Sequence, residues 1–461
     1  MGRVTPPPPA ADTDTELRTL ASTMAASLGL DAEGLAFLRR RLASCWHPPP
    51  TRVVSQAPIA PLEEPRIPAA HQDRIIFIAL HHGNFPSLQY LAHGLRQRQV
   101  LTSGVYLHTA PPEGVYDSVY ACQGSLAALI DIVRHLAARD DARPLRVYLQ
   151  AHGRWTFLMP LLGAAVPSLE IVHELWDWMD LFIDTRYEEV FAEDGVFTRD
   201  EIVLMRACER HIRHRAAGFL YKDEGPAMDA LLADASAPAR SFLPCPPRSW
   251  MRPVDPDRRL HHDVPIRLVH AGQLKGKQAS CRIFGDLQYH DMIRRITRQD
   301  LDLTAFASAT PPGHAPQQFH GDYERLSSQI PNFHFHENRP VDRLIADLHL
   351  SYDFGILLYP FPSSLCVGEG HLECAIASKL FVYIAAGLPV LVSAKLFRMA
   401  EFVTSHGIGL VLTDDAISGL APALRGCDYP SMCRAVHKAQ DDFHLEVHLD
   451  TLIAFIRSAR S

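Results

Sequence analysis

Two lysine-bearing turns and a set of histidines at strand ends are the residues of this chain best suited to chemistry. Ser378-Lys379 opens the run SKLFVYIAAGLPVLV. A serine there can cap a helix whose first N–H groups point outward at an anion. Ala385-Ala386 permit close packing, Gly387 suits a left-handed stop, and Pro389 leads into the apolar strand Val390–Val392. A lysine at a helix start, at the mouth of a parallel sheet, suits a phosphate. The second turn, Gly272-Gln273-Leu274-Lys275-Gly276-Lys277, follows the apolar strand Ile266–His270. Glycine lets a backbone approach a diphosphate closely and lysine neutralises it. Spacing alone does not choose between Lys275 and Lys277.

The histidines sit at other strand ends. His81 and His82, with Gly83 and Asn84, follow the apolar strand Arg74–Leu80, and His152 follows the strand Leu145–Gln150. An imidazole titrating near neutrality suits a general base. Trp176, Asp177 and Trp178 follow a further strand, Ser168–His173, where the tryptophans serve either core packing or ligand stacking. Metal chemistry has little support. Asp140-Asp141 and Asp414-Asp415 lack the spacing of a metal-binding carboxylate pair, and Cys427, Cys433 and His437 lack a fourth ligand.

The elements that must position these groups form two series. With 461 residues, 47% hydrophobic and 21% charged, the chain is core-forming and too long for one ordinary domain. Strands alternate with helices over residues 71–255 and again over 256–440, which predicts two parallel α/β domains. Pro244-Cys245-Pro246-Pro247 and the prolines at 253 and 256 mark the boundary. Residues 1–70 read as an extension: a proline tract over Arg3–Ala11, helices over Asp14–Leu28 and Ala32–Cys45, and a proline-punctuated linker over Pro58–Ala70. It carries no catalytic cluster, so docking or oligomerisation is its expected role. Residues 441–461 read as a C-terminal helix.

A net charge of −7 and a pI near 6.4 argue against a nucleic-acid binder. Nine scattered cysteines, an odd number without a CxxC pair, suit a reducing, cytoplasmic setting. Met1–Ala10 lacks the layout of a secretory signal, and the longest apolar stretch, Leu380–Ala394, falls short of the roughly 18 residues of a membrane span. A soluble protein follows. Peripheral attachment to the inner membrane stays compatible with this composition, although no sustained basic amphipathic helix supports it. No GxGxxG follows either leading strand, which disfavours a dehydrogenase.

The segment from Ser378 to Leu412 resembles the nucleotide-sugar-binding part of bacterial glycosyltransferases of GT-B architecture (glycosyltransferase group 1-like). Ser378, Lys379, Leu380, Tyr383, Ala385, Ala386, Gly387, Leu388, Pro389 and Val390 match its pattern, as does Gly407-Ile408-Gly409. The resemblance implies two Rossmann-like domains facing across a cleft, the N-terminal one for an acceptor and the C-terminal one for the donor. It implies sugar transfer from a nucleotide-sugar to a cell-surface glycan, lipid-linked or protein acceptor, as in polysaccharide biosynthesis, with no further cofactor. It assigns Gly272, Lys275 or Lys277, Ser378 and Lys379 to the donor. Glu369, in a Gly-rich stretch, is a nearby acidic candidate. His152 and His82 become candidate catalytic bases, and His81, Gly83, Asn84 and Trp176 candidate acceptor contacts. One departure matters: Val382 occupies the slot where relatives carry a ribose-binding Glu. Two alternatives follow, a non-catalytic glycosyltransferase-like binding subunit and a GT-B nucleotide-sugar epimerase.

Overall fold

The computed structural model describes residues 13–47, 74–81, 86–109, 115–138, 145–260, 263–308, 316–337 and 339–459. The proline tract, the 58–70 linker, Asp140-Asp141, His82, Gly83 and Asn84 lie outside them.

Strand β1 (Arg74–His81) shows how the first sheet is built. Ile76, Ile78 and Leu80 join one apolar cluster, and Ile75, Phe77 and Ala79 join another on the opposite face. A strand apolar on both faces is stable only when both are covered, which is the situation of a parallel sheet between helices. Strands β2 (Leu101–Thr109), β3 (Ser118–Ala121), β4 (Arg146–Gln150), β5 (Glu170–Glu174), β6 (Gly218–Tyr221) and β7 (Ala239–Ser241) complete it. All pairs are parallel, in the order β3-β2-β1-β4-β5-β6-β7. The second sheet comprises β8 (Ile266–Gly272), β9 (Leu301–Ala307), β10 (Phe333–Glu337), β11 (Phe354–Leu357), β12 (Val390–Ser393) and β13 (Gly409–Leu412). Its order is β10-β9-β8-β11-β12-β13, again parallel throughout. In each sheet the strand order reverses beside the leading strand, between β1 and β4 and between β8 and β11. The crevice at the C-terminal ends there is where such sheets hold ligands.

The two series predicted from the alternation are therefore both present, and the second sheet opens at Ile266, after the first closes at Ser241. Differences lie in short elements. Strands β3, β7 and β13 were not expected; the last was read only as the exit of a Gly-Ile-Gly turn. The chain after β4 begins as a single 3-10 turn, Gly153–Trp155, and becomes α-helical only over Leu158–Ala165. Gly387, at φ +79, does end the helix Lys379–Ala386 in the left-handed conformation.

The terminal helices both belong to the first domain's core. Thr13–Leu28 and Ala32–Cys45 bury Leu20, Met24, Leu38 and Leu42 in the same cluster as β1 and β4, so this part of the extension packs on its own chain. The helix Leu445–Ser458 returns from the second domain and buries Leu449, Leu452 and Ile456 against Phe77 and Leu91. At about 1.5–3 kcal/mol per fully buried Leu or Ile, this return tie is a substantial link between the domains. No helix among the described residues is long and apolar enough to cross a membrane.

Candidate functional site

A cavity of about 360 Å³ lies between the domains, where the C-terminal ends of both sheets face each other. His152, Asp177 and Lys222 line it from the first domain; Gln273, Asp286, Tyr359 and His371 line it from the second.

On the second-domain side the two lysine-bearing turns converge. Gly272 ends β8, and a Cβ at that position would lie 2.6 Å from Lys379 Nζ. The ammonium also sits 5.0 Å from the Tyr359 ring. Tyr383 fixes this meeting from below: its hydroxyl accepts the Ala271 N–H at 2.8 Å and donates to the Ile356 carbonyl at 3.3 Å, tying β8 to β11. Burial pushes the Lys379 ammonium down to about 8, with Asp286 acting in the opposite direction. Burial pushes Asp286 up to about 7, against the pull of Lys379. Lys275, from the same turn as Gly272, holds its Nζ 5.0 Å from the cavity-lining Phe284 ring, and burial lowers its pKa. Lys277 is exposed, whereas Lys275 is half-buried with its ammonium beside the cavity-lining Phe284, so geometry favours Lys275 of the two.

Two sequence expectations on this side, Ser378 and Glu369, need correction, and the departure at Val382 stands. Ser378 does not cap the helix through its side chain. Its backbone is already helical (φ −56, ψ −29), whereas a capping hydroxyl needs an extended backbone to reach forward. Glu369 is the first residue of a short helix, Glu369–Cys374, not part of a loop. Its carboxylate is 86% exposed, 3.9 Å from Arg186, and does not line the cavity. Val382 is 5% exposed within the apolar cluster beneath the sheet, so that slot offers no polar group.

On the first-domain side His152 follows β4 and lines the cavity, as its strand-end position suggested. Burial lowers its pKa, and the nearby Asp177 partly offsets this. His81, the last residue of β1, stacks on His108 with ring centroids 4.7 Å apart. Burial, His108 and His152 together bring His81 down to about 4, so it is neutral at pH 7. The ends of β1 and β4 thus bring these two histidines close enough to interact, but only His152 lines the cavity. Trp176 does not line the cavity. It is buried, donating from its indole to Glu174 at 2.5 Å, and Glu174 also receives Ser87 at 3.0 Å and Gln150 at 2.7 Å. Burial holds the Glu174 carboxyl up at about 7 despite these donors.

The sequence reading missed the charged centre of the cavity wall. Lys222, 6% exposed, bonds Asp223 at 2.6 Å and lies 3.9 Å from Asp177. Burial would raise Asp177, but Lys222, His371 and His152 hold it below the usual carboxylate range. His371 reaches in from the second domain, its ring edge-on to Phe182 at 5.1 Å. A signal existed for part of this: Lys222-Asp223 directly follow the apolar run Gly218–Tyr221, which forms β6. Among the described residues no cluster of His, Cys, Asp and Glu has the arrangement to hold a metal ion.

Residues 261–449 match the family model described as Glucosyltransferase 3-like, C-terminal domain. No curated protein matches the chain. Among solved structures, Anabaena Alr3699/HepE in complex with UDP-glucose superposes with a TM-score of 0.56 at 11% identity, covering 84% of this chain and 99% of that one. The same protein in complex with UDP gives 0.54 at 13% identity, covering 84% and 100%. The α,α-trehalose 6-phosphate synthase of Burkholderia multivorans gives 0.51 at 11% identity, covering 84% and 99%. The chain therefore has the GT-B fold, with a helical N-terminal region added.

Proposed function

We propose that this protein is a glycosyltransferase that moves a sugar from a nucleotide-sugar donor to a hydroxyl of a glycan, lipid-linked or protein acceptor, acting in the cytoplasm or at the inner-membrane surface. The observation that carries the reading is the interdomain cavity, lined by His152 on one side and by Gln273, Asp286 and Tyr359 on the other, with Gly272 and Lys379 meeting directly behind Tyr359. The match of residues 261–449 to a glucosyltransferase-like domain supports it, as does the fold shared with a protein crystallised with UDP-glucose.

In this reading the donor's diphosphate lies against Lys379 and Lys275 at the end of β8. The bond from the sugar's anomeric carbon to the diphosphate breaks, and the two ammonium groups take up the charge of the leaving group. The acceptor oxygen bonds to the anomeric carbon, and its proton passes to a ring nitrogen of His152. Burial keeps that imidazole neutral near pH 7, which is the form a base needs.

Two expectations test the donor half. Gly272→Ala should displace the Lys379 ammonium, because the new Cβ would lie 2.6 Å from its Nζ, and it should also strain the backbone, which stands at φ +158. Nucleoside diphosphate affinity should fall roughly tenfold, about the worth of one charge-assisted hydrogen bond. The same strain, about 1–3 kcal/mol, should lower the melting temperature by several degrees. An unchanged affinity would take Lys379 off the ligand. Catalysis should also need no added metal, since two lysines already neutralise the diphosphate. Transfer measured in excess EDTA should match the untreated rate; loss of transfer, restored by Mg²⁺ or Mn²⁺, would overturn the metal-free reading.

The experiment for the function as a whole is a sugar-nucleotide panel, with transfer and donor hydrolysis both followed. Release of nucleoside diphosphate supports a transferase. Conversion of the donor to a stereoisomer supports an epimerase, and inertness with intact nucleotide binding supports a binding subunit.

A further inference from the structure

The segment that carries Lys379 is clamped from both sides by groups that have no place in the chemistry above. Immediately after β6, Asp223 is 2% exposed, and its Oδ1 accepts the Ile376 N–H at 3.2 Å across the domain interface. The same oxygen receives Lys222 at 2.6 Å. One residue on, the Glu224 N–H donates to the Cys374 carbonyl at 3.1 Å. The first domain thus runs a short stretch of backbone and side chain alongside residues 374–376. On the far side, the Ala377 N–H meets Met399 Sδ at 3.3 Å, and Arg398 returns to the Glu224 carboxylate at 2.6 Å. Only Ala377 and Ser378 separate Ile376 from Lys379.

A buried carboxylate shared between a lysine of its own domain and a backbone N–H of the other is expensive to desolvate and is stable only while both donors are present. Opening the cleft would leave Asp223 with one donor and release the 374–379 segment.

We propose that Asp223 is a positioning residue, which sets the donor-side lysine Lys379 only when the two domains are closed. This rests on the glycosyltransferase reading for its chemistry, but its geometric half can be tested without it. The test uses the full-length protein and the variants Asp223→Ala, which removes the acceptor, and Asp223→Asn, which keeps an oxygen for the Ile376 N–H. Small-angle scattering reads domain opening, and steady-state kinetics with the preferred nucleotide-sugar read turnover and KM.

The expected result is a larger radius of gyration for Asp223→Ala. Turnover should fall roughly 10- to 100-fold, the scale of misplacing a reacting group by about 1 Å. Both effects should be largely reversed in Asp223→Asn. If Asp223→Ala does not fold, Arg398→Gln, which frees the other flank through Glu224, takes its place with the same expected direction. An unchanged radius of gyration, unchanged turnover, or failure of Asn to rescue would each overturn the inference. An opened Asp223→Ala alongside a wild-type protein that neither binds nucleotides nor transfers sugar would support the clamp and overturn the transferase reading instead.

Discussion

Replacing His152 with Ala should lower turnover by roughly 10²- to 10⁴-fold, the usual contribution of a positioned general base, while nucleoside diphosphate affinity changes little. The split follows from where the residue stands. His152 belongs to the first domain, just after β4, and lines the cavity, whereas the lysines belong to the second domain. Removing it leaves Lys379, Lys275 and Gly272 untouched. Its burial favours the neutral ring, while Asp177 nearby draws protons toward it. Activity should therefore hold through neutral pH and decline on the acid side, below the ordinary histidine value of 6.5, as the ring becomes protonated. Steady-state kinetics paired with calorimetric titration of the nucleotide check both halves. A fully active His152→Ala protein would remove this residue from the mechanism and turn attention to Asp177, Asp286 and His371, which also line the cavity.

Lys379→Ala should weaken nucleotide binding by about 1–3 kcal/mol, roughly 5- to 150-fold, the range for losing a charge-assisted hydrogen bond in a partly desolvated site. Lys379 also gives the binding a pH signature. In the free protein burial brings its pKa to about 8. A bound diphosphate favours the charged ammonium and raises that value. Binding thus takes up a proton above pH 8, and affinity falls as the pH rises beyond it. Below pH 8 the lysine is already charged and contributes no slope. Titration of affinity from pH 7 to 9.5 should show this decline in the wild type and a flatter response in Lys379→Ala. Equal slopes would mean that another group, Lys275 foremost, is the one that titrates.

How much of this was legible in the sequence depends on where the deciding interaction lies. Strands β1 and β8 were readable because their apolar runs must be covered on both faces. Gly387 was readable because few other residues accept its backbone. Strands β3 and β7 were not: Ser118–Ala121 and Ala239–Ser241 are three or four residues long and partly polar, and they exist only because β2 and β6 offer edges to pair with. Ser378 misled because capping rules read the residue type, while its backbone had already entered the helical turn. Lys379 and Gly272 were each nominated separately from their turns, but their contact is tertiary and joins residues more than a hundred positions apart. Asp286 and His371 sit on single-turn elements with no periodicity to read. The buried environment that moves their pKa values comes from elements distant in the chain, including the opposite domain for His371.

The central claim is that the cavity between the domains binds a nucleoside diphosphate through Lys379. Thermal unfolding of the wild type and of Lys379→Ala, each with UDP, GDP, ADP and CMP, tests it most directly, because a ligand specific for the folded state stabilises it by mass action. The account predicts that one of the diphosphates raises the wild-type melting temperature, and that the shift is much smaller in Lys379→Ala. No shift with any of them, or an equal shift in both proteins, would contradict it.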